Sequence, residues 1–135
     1  MYKLLTVLAI LAVLGIAAFL IIRHTGKNNL SGITLTEDDS GREVSLRVGE
    51  KLKIILKSNP STGYQWDVAP FNESVIKLSE GPLVYEKKKI PGGEGETVFV
   101  FEAVSPGTTT IKLMYRRPWE KFSPASTFEV TVKVD

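Results

Sequence analysis

From Ile33 to the C-terminus, apolar and polar residues alternate with a period of two. Successive side chains of a strand point to opposite faces, so this period predicts strands with one buried face. In Arg42–Val48 the alternation puts Val44, Leu46 and Val48 on one face, and in Lys51–Lys57 it aligns Leu52, Ile54 and Leu56. Tyr64–Val68 and Val75–Leu78 alternate again. Glu96–Ala103 sets Val98 and Val100 on one face and Phe99, Phe101 and Ala103 on the other. Thr108–Tyr115 and Ser126–Val134 complete the series, the last with Phe128, Val130, Val132 and Val134 in step. Trp66, between Tyr64 and Val68, is assigned to the core, because aromatics on alternating strands are packing residues. Short strands cut by Gly, Pro and Asn turns predict an all-β sandwich, and no segment after Ile22 carries a helical stripe with caps.

The N-terminus follows a different pattern. Leu4–Ile22 is 19 residues without a charge. As a helix it would span roughly 28 Å, close to the thickness of a bilayer's hydrocarbon core. A cleaved signal peptide has a shorter apolar stretch and a small-x-small site. Gly15, Ala17 and Ala18 are small, but apolar Phe19–Ile22 follows them, which favours an uncleaved anchor. Lys3 on one side and Arg23 and Lys27 on the other leave the orientation open. Polar Thr25–Gly32 reads as a flexible connection. The expected organisation is a signal anchor or signal peptide with basic flank at 1–27, a linker at 28–32 and a domain at 33–135. The domain is expected outside the cytoplasm, membrane-anchored through residues 4–22, or secreted if residues 1–22 are removed.

Charge and composition narrow the chemistry. Of 17 basic residues, Lys3, Arg23 and Lys27 belong to the apolar end, leaving 14 against 15 acidic residues in the rest. The domain therefore offers no electrostatic footprint for nucleic acid. There is no cysteine, which removes disulfides, thiolate nucleophiles, thiolate metal sites and a lipid-modified cysteine. A domain of roughly 105 residues is large enough to be held by its core alone. The one histidine, His24, sits beside Arg23 at the membrane-side boundary. Hydrolases of the Ser-His-Asp or Cys-His kind need a histidine at the nucleophile, so an enzyme is not expected. The Glu37-Asp38-Asp39 triplet lacks the spacing of a calcium loop, and Lys87-Lys88-Lys89 reads as solvated charge. No cofactor or metal is expected.

Three turns are long and rich in special residues. Asn59-Pro60-Ser61-Thr62-Gly63-Tyr64 combines a proline that fixes φ, a glycine able to take positive φ, and side chains that bond to nearby backbone. In Pro91-Gly92-Gly93-Glu94-Gly95-Glu96, three glycines leave backbone bare. Arg116-Arg117-Pro118-Trp119-Glu120-Lys121 places a large aromatic and guanidinium groups at a strand end. Singly, each also reads as an ordinary connection, a flexible hairpin tip or a tryptophan folded onto the core.

Together and in this order, the turns resemble the chagasin family of cysteine protease inhibitors. That family has an NPTTGY-type loop, a GxGG-type loop and an RPW loop on an immunoglobulin-like β-sandwich. The resemblance covers roughly Ile33 to Asp135. Ser61 stands where the family usually has threonine, and Glu94 replaces a glycine of the second loop. The resemblance implies a reversible inhibitor of papain-like cysteine proteases that occludes the active-site cleft with loops 59–64, 91–96 and 116–120. The implied protease-binding residues are Asn59, Pro60, Ser61, Thr62, Gly63 and Tyr64, then Gly92, Gly93, Glu94 and Gly95, then Arg117, Pro118 and Trp119. The expected partner is a papain-like cysteine protease, met by a monomeric domain. The competing reading is a membrane-anchored β-sandwich for adhesion or carbohydrate binding, which would not need NPSTGY and RPW together.

Overall fold

A computed structural model describes residues 32–86 and 94–135. The apolar segment 4–22, Gly92 and Gly93 lie outside the described residues. Gly32–Asp135 forms one compact unit. Its eight strands are β1 (Ile33–Thr36), β2 (Glu43–Leu46), β3 (Lys51–Ser58), β4 (Gln65–Val68), β5 (Ile76–Glu86), β6 (Gly95–Ala103), β7 (Gly107–Arg116) and β8 (Ser126–Val134). Short 3-10 turns occupy Glu37–Asp39 and Pro60–Thr62, and none of the described residues is α-helical.

The strands form two four-stranded sheets, in the orders β1-β3-β6-β5 and β2-β8-β7-β4. The inner faces meet in one cluster. Leu35, Leu52, Ile54, Leu56, Ile76, Phe99 and Phe101 come from the first sheet, and Leu46, Trp66, Ile111, Leu113, Phe128, Val130 and Val132 from the second. Fully burying each such side chain stabilises the fold by about 1.5–3 kcal/mol relative to exposure. This is the sandwich that the period-two pattern predicts, and Trp66 lies in it, 6% exposed. Val48 does not. The chain leaves β2 after Leu46 and turns, with the Glu50 N–H donating to the Arg47 carbonyl at 3.0 Å, so Val48 is carried outward and is 52% exposed.

Strand direction decides where the connections fall. β6 runs antiparallel to β3, with Gly95 opposite Ser58, and antiparallel to β5, with Gly95 opposite Glu86. In the other sheet Gln65 lies opposite Arg116, and Tyr115 opposite Ser126. The β3–β4, β5–β6 and β7–β8 connections therefore all leave from one end of the sandwich. At the far end, β1 starts beside the start of β3, because the two are parallel with Ile33 opposite Leu52. Val134 lies there too, opposite both Gly107 and Leu46.

Candidate functional site

The first connection is a shaped turn. Pro60 opens a 3-10 turn through Thr62, and Gly63 closes it at φ +80°, a left-handed conformation that L side chains rarely adopt. Its polar groups are largely turned on themselves. The Asn59 carbonyl accepts from the Thr62 N–H at 3.2 Å and the Thr62 hydroxyl at 2.7 Å, and the Pro60 carbonyl accepts from the Gly63 N–H at 3.2 Å. The Ser61 hydroxyl donates to Asn59 Oδ1 at 2.7 Å. The serine thus supplies the bond for which the turn needs a hydroxyl.

The third connection leans on the first. Arg117 Nε donates to the Thr62 carbonyl at 2.9 Å, and its guanidinium carbon stands 4.4 Å from the centroid of the Tyr64 ring. Tyr64 stacks on Tyr115 at 5.2 Å and 16°, and Tyr115 meets Trp66 at 4.9 Å. The Tyr115 hydroxyl accepts from the Asn59 N–H at 2.9 Å, and Trp66 Nε1 donates to the Lys57 carbonyl at 3.0 Å. The RPW turn closes on itself, with the Glu120 N–H donating to the Arg117 carbonyl at 3.1 Å and Arg117 Nη1 bonding Glu120 Oε1 at 3.0 Å.

Trp119 is 69% exposed. The ring edge lies over Gly63: a methyl group on that Cα would stand 2.5 Å from Trp119 Cη2. The indole can occupy this position because residue 63 has no side chain. Beside it, a groove of about 410 Å³ runs between Pro60, Gly63 and Trp119 on the loop side and Pro82 and Val84 of β5. Ser58 and Thr97, a buried hydroxyl pair at 3.0 Å, also line it.

Of the glycine segment, the described residues Glu94 and Gly95 lie beside the start of the first turn. Glu94, exposed, shares a hollow of about 250 Å³ with Lys57, Ser58, Asn59, Gly95 and Tyr115. Gly95, expected in the turn, is instead the first residue of β6, one residue ahead of the strand start expected at Glu96. The reason for glycine at 95 is packing. It lies between two strands, and a Cβ there would stand 2.5 Å from the Tyr85 carbonyl oxygen. Asn59–Tyr64, Glu94–Gly95 and Arg117–Trp119 are thus gathered at one end. Tyr115 is a strand residue in the sequence pattern as in the structure, and the pattern carries no signal of its loop contacts. Among the described residues, no group of three or more His, Cys, Asp or Glu side chains gathers to hold a metal ion.

An all-β sandwich with a self-bonded turn beneath an exposed tryptophan defines a binding module. The Chagasin family of peptidase inhibitors, I42, matches residues 45–134. Amoebiasin-1 of Entamoeba histolytica is 32% identical over 102 residues, covering 76% of this chain and 99% of the relative. Chagasin of Trypanosoma cruzi is 32% identical over 91 residues, covering 63% and 81%. The crystal structure of a cysteine protease inhibitor from Entamoeba histolytica superposes with a TM-score of 0.70 at 29% identity, covering 77% of this chain and 96% of that one. The structure of PbICP-C in complex with falcipain-2 matches with a TM-score of 0.53 at 25% identity, covering 80% and 92%. The chain belongs to the chagasin family of cysteine protease inhibitors. It is an inhibitor and not an enzyme.

Proposed function

We propose that the protein inhibits papain-like cysteine proteases reversibly, by laying loops 59–64, 91–96 and 116–120 into the active-site cleft. The observation that carries this reading is the convergence of the NPSTGY turn with an exposed Trp119 seated on Gly63. Asn59–Gly63 enters over the catalytic cysteine, Trp119 with Pro118 covers one side of the cleft, and the glycine segment grips the other through bare backbone. Tyr64 supports the first turn from its base.

The turn's internal bonds explain why such an inhibitor survives its target. A protease attacks a carbonyl in an extended segment and polarises its oxygen. Here the Asn59, Pro60 and Thr62 carbonyls are already hydrogen-bonded within the protein, and residues 60–62 form a 3-10 turn. Presenting any of them to an oxyanion site would break those bonds, each contributing about 0.5–1.5 kcal/mol, along with the contacts above them.

The wider reading takes the sandwich as immunoglobulin-like and the chain as membrane-anchored outside the cytoplasm, supported by the uncharged run at 4–22. The unit from Gly32 has its own core and corresponds to nearly the whole of a solved relative, so residues 28–135 stand alone as a test protein. Titrating papain with this fragment should abolish peptide hydrolysis and leave the fragment uncut. Full protease activity at micromolar folded fragment would end the proposal. For the anchor, full-length protein should stay in the membrane fraction through carbonate extraction; a soluble mature form beginning after Ala18 would exclude it.

A further inference from the structure

Three ties bracket the NPSTGY turn, and all three come from the end of β7 or the residue after it. At its first residue, the part-buried Asn59 N–H donates to the Tyr115 hydroxyl at 2.9 Å. Further along, the Thr62 carbonyl accepts from Arg117 Nε at 2.9 Å. At its last residue, the Tyr64 ring contacts both partners, stacked on Tyr115 and beneath the Arg117 guanidinium. Arg117 is itself fixed by Glu120 Oε1. Within the turn, the Ser61 and Thr62 hydroxyls bond back to Asn59.

We infer that Tyr115 and Arg117 are positioning residues that hold the NPSTGY turn in its protease-binding shape, Arg117 acting through the turn rather than by touching the enzyme. The inference rests on the function proposed above and names residues that set its strength. Freezing a loop in its bound shape before association removes ordering cost from binding. Tyr115 is well suited because its ring packs against the core while its hydroxyl reaches the loop. Arg117 is well suited because its planar guanidinium can stack on a ring and donate sideways at once, which an ammonium cannot do.

The test uses residues 28–135 with Tyr115→Phe, Arg117→Lys and Arg117→Ala. Tyr115→Phe keeps the stack, so the unfolding midpoint should hold while the Asn59 amide exchanges with solvent at least about tenfold faster by NMR. Loss of one such bond should weaken papain binding roughly five- to tenfold. Arg117→Lys should weaken binding about as much as Arg117→Ala and quicken backbone motion at 61–63 equally. Binding retained by Arg117→Lys and lost by Arg117→Ala would make Arg117 a charge contact with the enzyme and overturn the inference. So would a quickened Asn59 amide with unchanged affinity in Tyr115→Phe, or an unchanged amide. If the unsubstituted fragment fails to inhibit papain, the proposed function fails, while exchange and relaxation still report whether the ties hold the turn.

Discussion

Substituting Gly63 by alanine tests how the tryptophan is seated. The residue sits at φ +80°, where a side chain costs about 1–2 kcal/mol, and this strain falls on the folded protein alone. The second effect is steric. The new methyl would stand 2.5 Å from Trp119 Cη2, whereas carbon atoms settle at about 3.5–4.0 Å, so the indole must move by about 1 Å or more. Trp119 is mostly exposed, so moving it changes stability little. Its effect on binding is another matter. Truncating a tryptophan anchor commonly costs about 2–4 kcal/mol, roughly 30- to 1000-fold in affinity. Gly63→Ala should therefore weaken inhibition to an extent approaching Trp119→Ala. In the Trp119→Ala background the methyl has nothing left to displace, so the double variant should bind little more weakly than Trp119→Ala, a coupling of about 1.5–3 kcal/mol. Inhibition constants against papain and denaturant unfolding curves for the four proteins complete the cycle. Additive losses would refute the reasoning, because they would mean that the methyl strikes the protease directly and the indole does not depend on residue 63.

Trp66→Ala should lose about 3–5 kcal/mol of stability, read by chemical denaturation, since it empties a buried site and strips the Lys57 carbonyl of its donor. Gly95→Ala should destabilise the domain by about 1–3 kcal/mol in the same assay, because the added carbon meets the backbone oxygen of Tyr85 and not a yielding side-chain tip. At Asp39 the Thr36 N–H donating at 2.9 Å, followed by the Arg42 guanidinium at 2.7 Å, holds the carboxyl below its ordinary range. A lowered folded pKa contributes stability that is present above an unfolded value of about 4 and is lost as pH falls through the folded one. Asp39→Asn should therefore flatten that part of the stability–pH curve below about pH 4, measured by denaturation midpoints.

Much of this architecture is legible in the sequence because the sandwich has two inner faces and one period. Leu52, Ile54 and Leu56, or Phe128 to Val134, cannot alternate that way and be buried otherwise. The failures have local causes. Val48 continues the apolar alternation but lies past the end of a strand, where the chain must turn. The strand β5 runs on through Gly81–Pro82 to Glu86, beyond the expected Leu78, because its later residues are largely exposed and the Gly-Pro pair imitates a turn. Gly95 looks like loop and is strand, since the same residue type serves a bare turn and a tight crossing of backbones. In the site, the NPSTGY and RPW motifs are visible as motifs. That Tyr115 and Arg117 fasten one to the other is not, because partners 55 or 56 residues apart leave no trace in a local pattern.

The parallel pairing of β1 with β3 gives the molecule a polarity. β3 begins beside the point where the chain enters and ends at the NPSTGY turn, a length of eight residues and so roughly 25 Å. The last strand finishes at the entry end as well, where the Asp135 N–H bonds the Leu46 carbonyl at 2.9 Å. Both ends of the domain are thus handles on the pole that takes no part in the loops. A support, label or fusion partner joined at either end stands off by the height of the sandwich. The domain from Gly32 to Asp135 can be immobilised through either end for kinetic work with no change expected at the loops, and an obstruction on one handle would have to exceed that height before it shaded them.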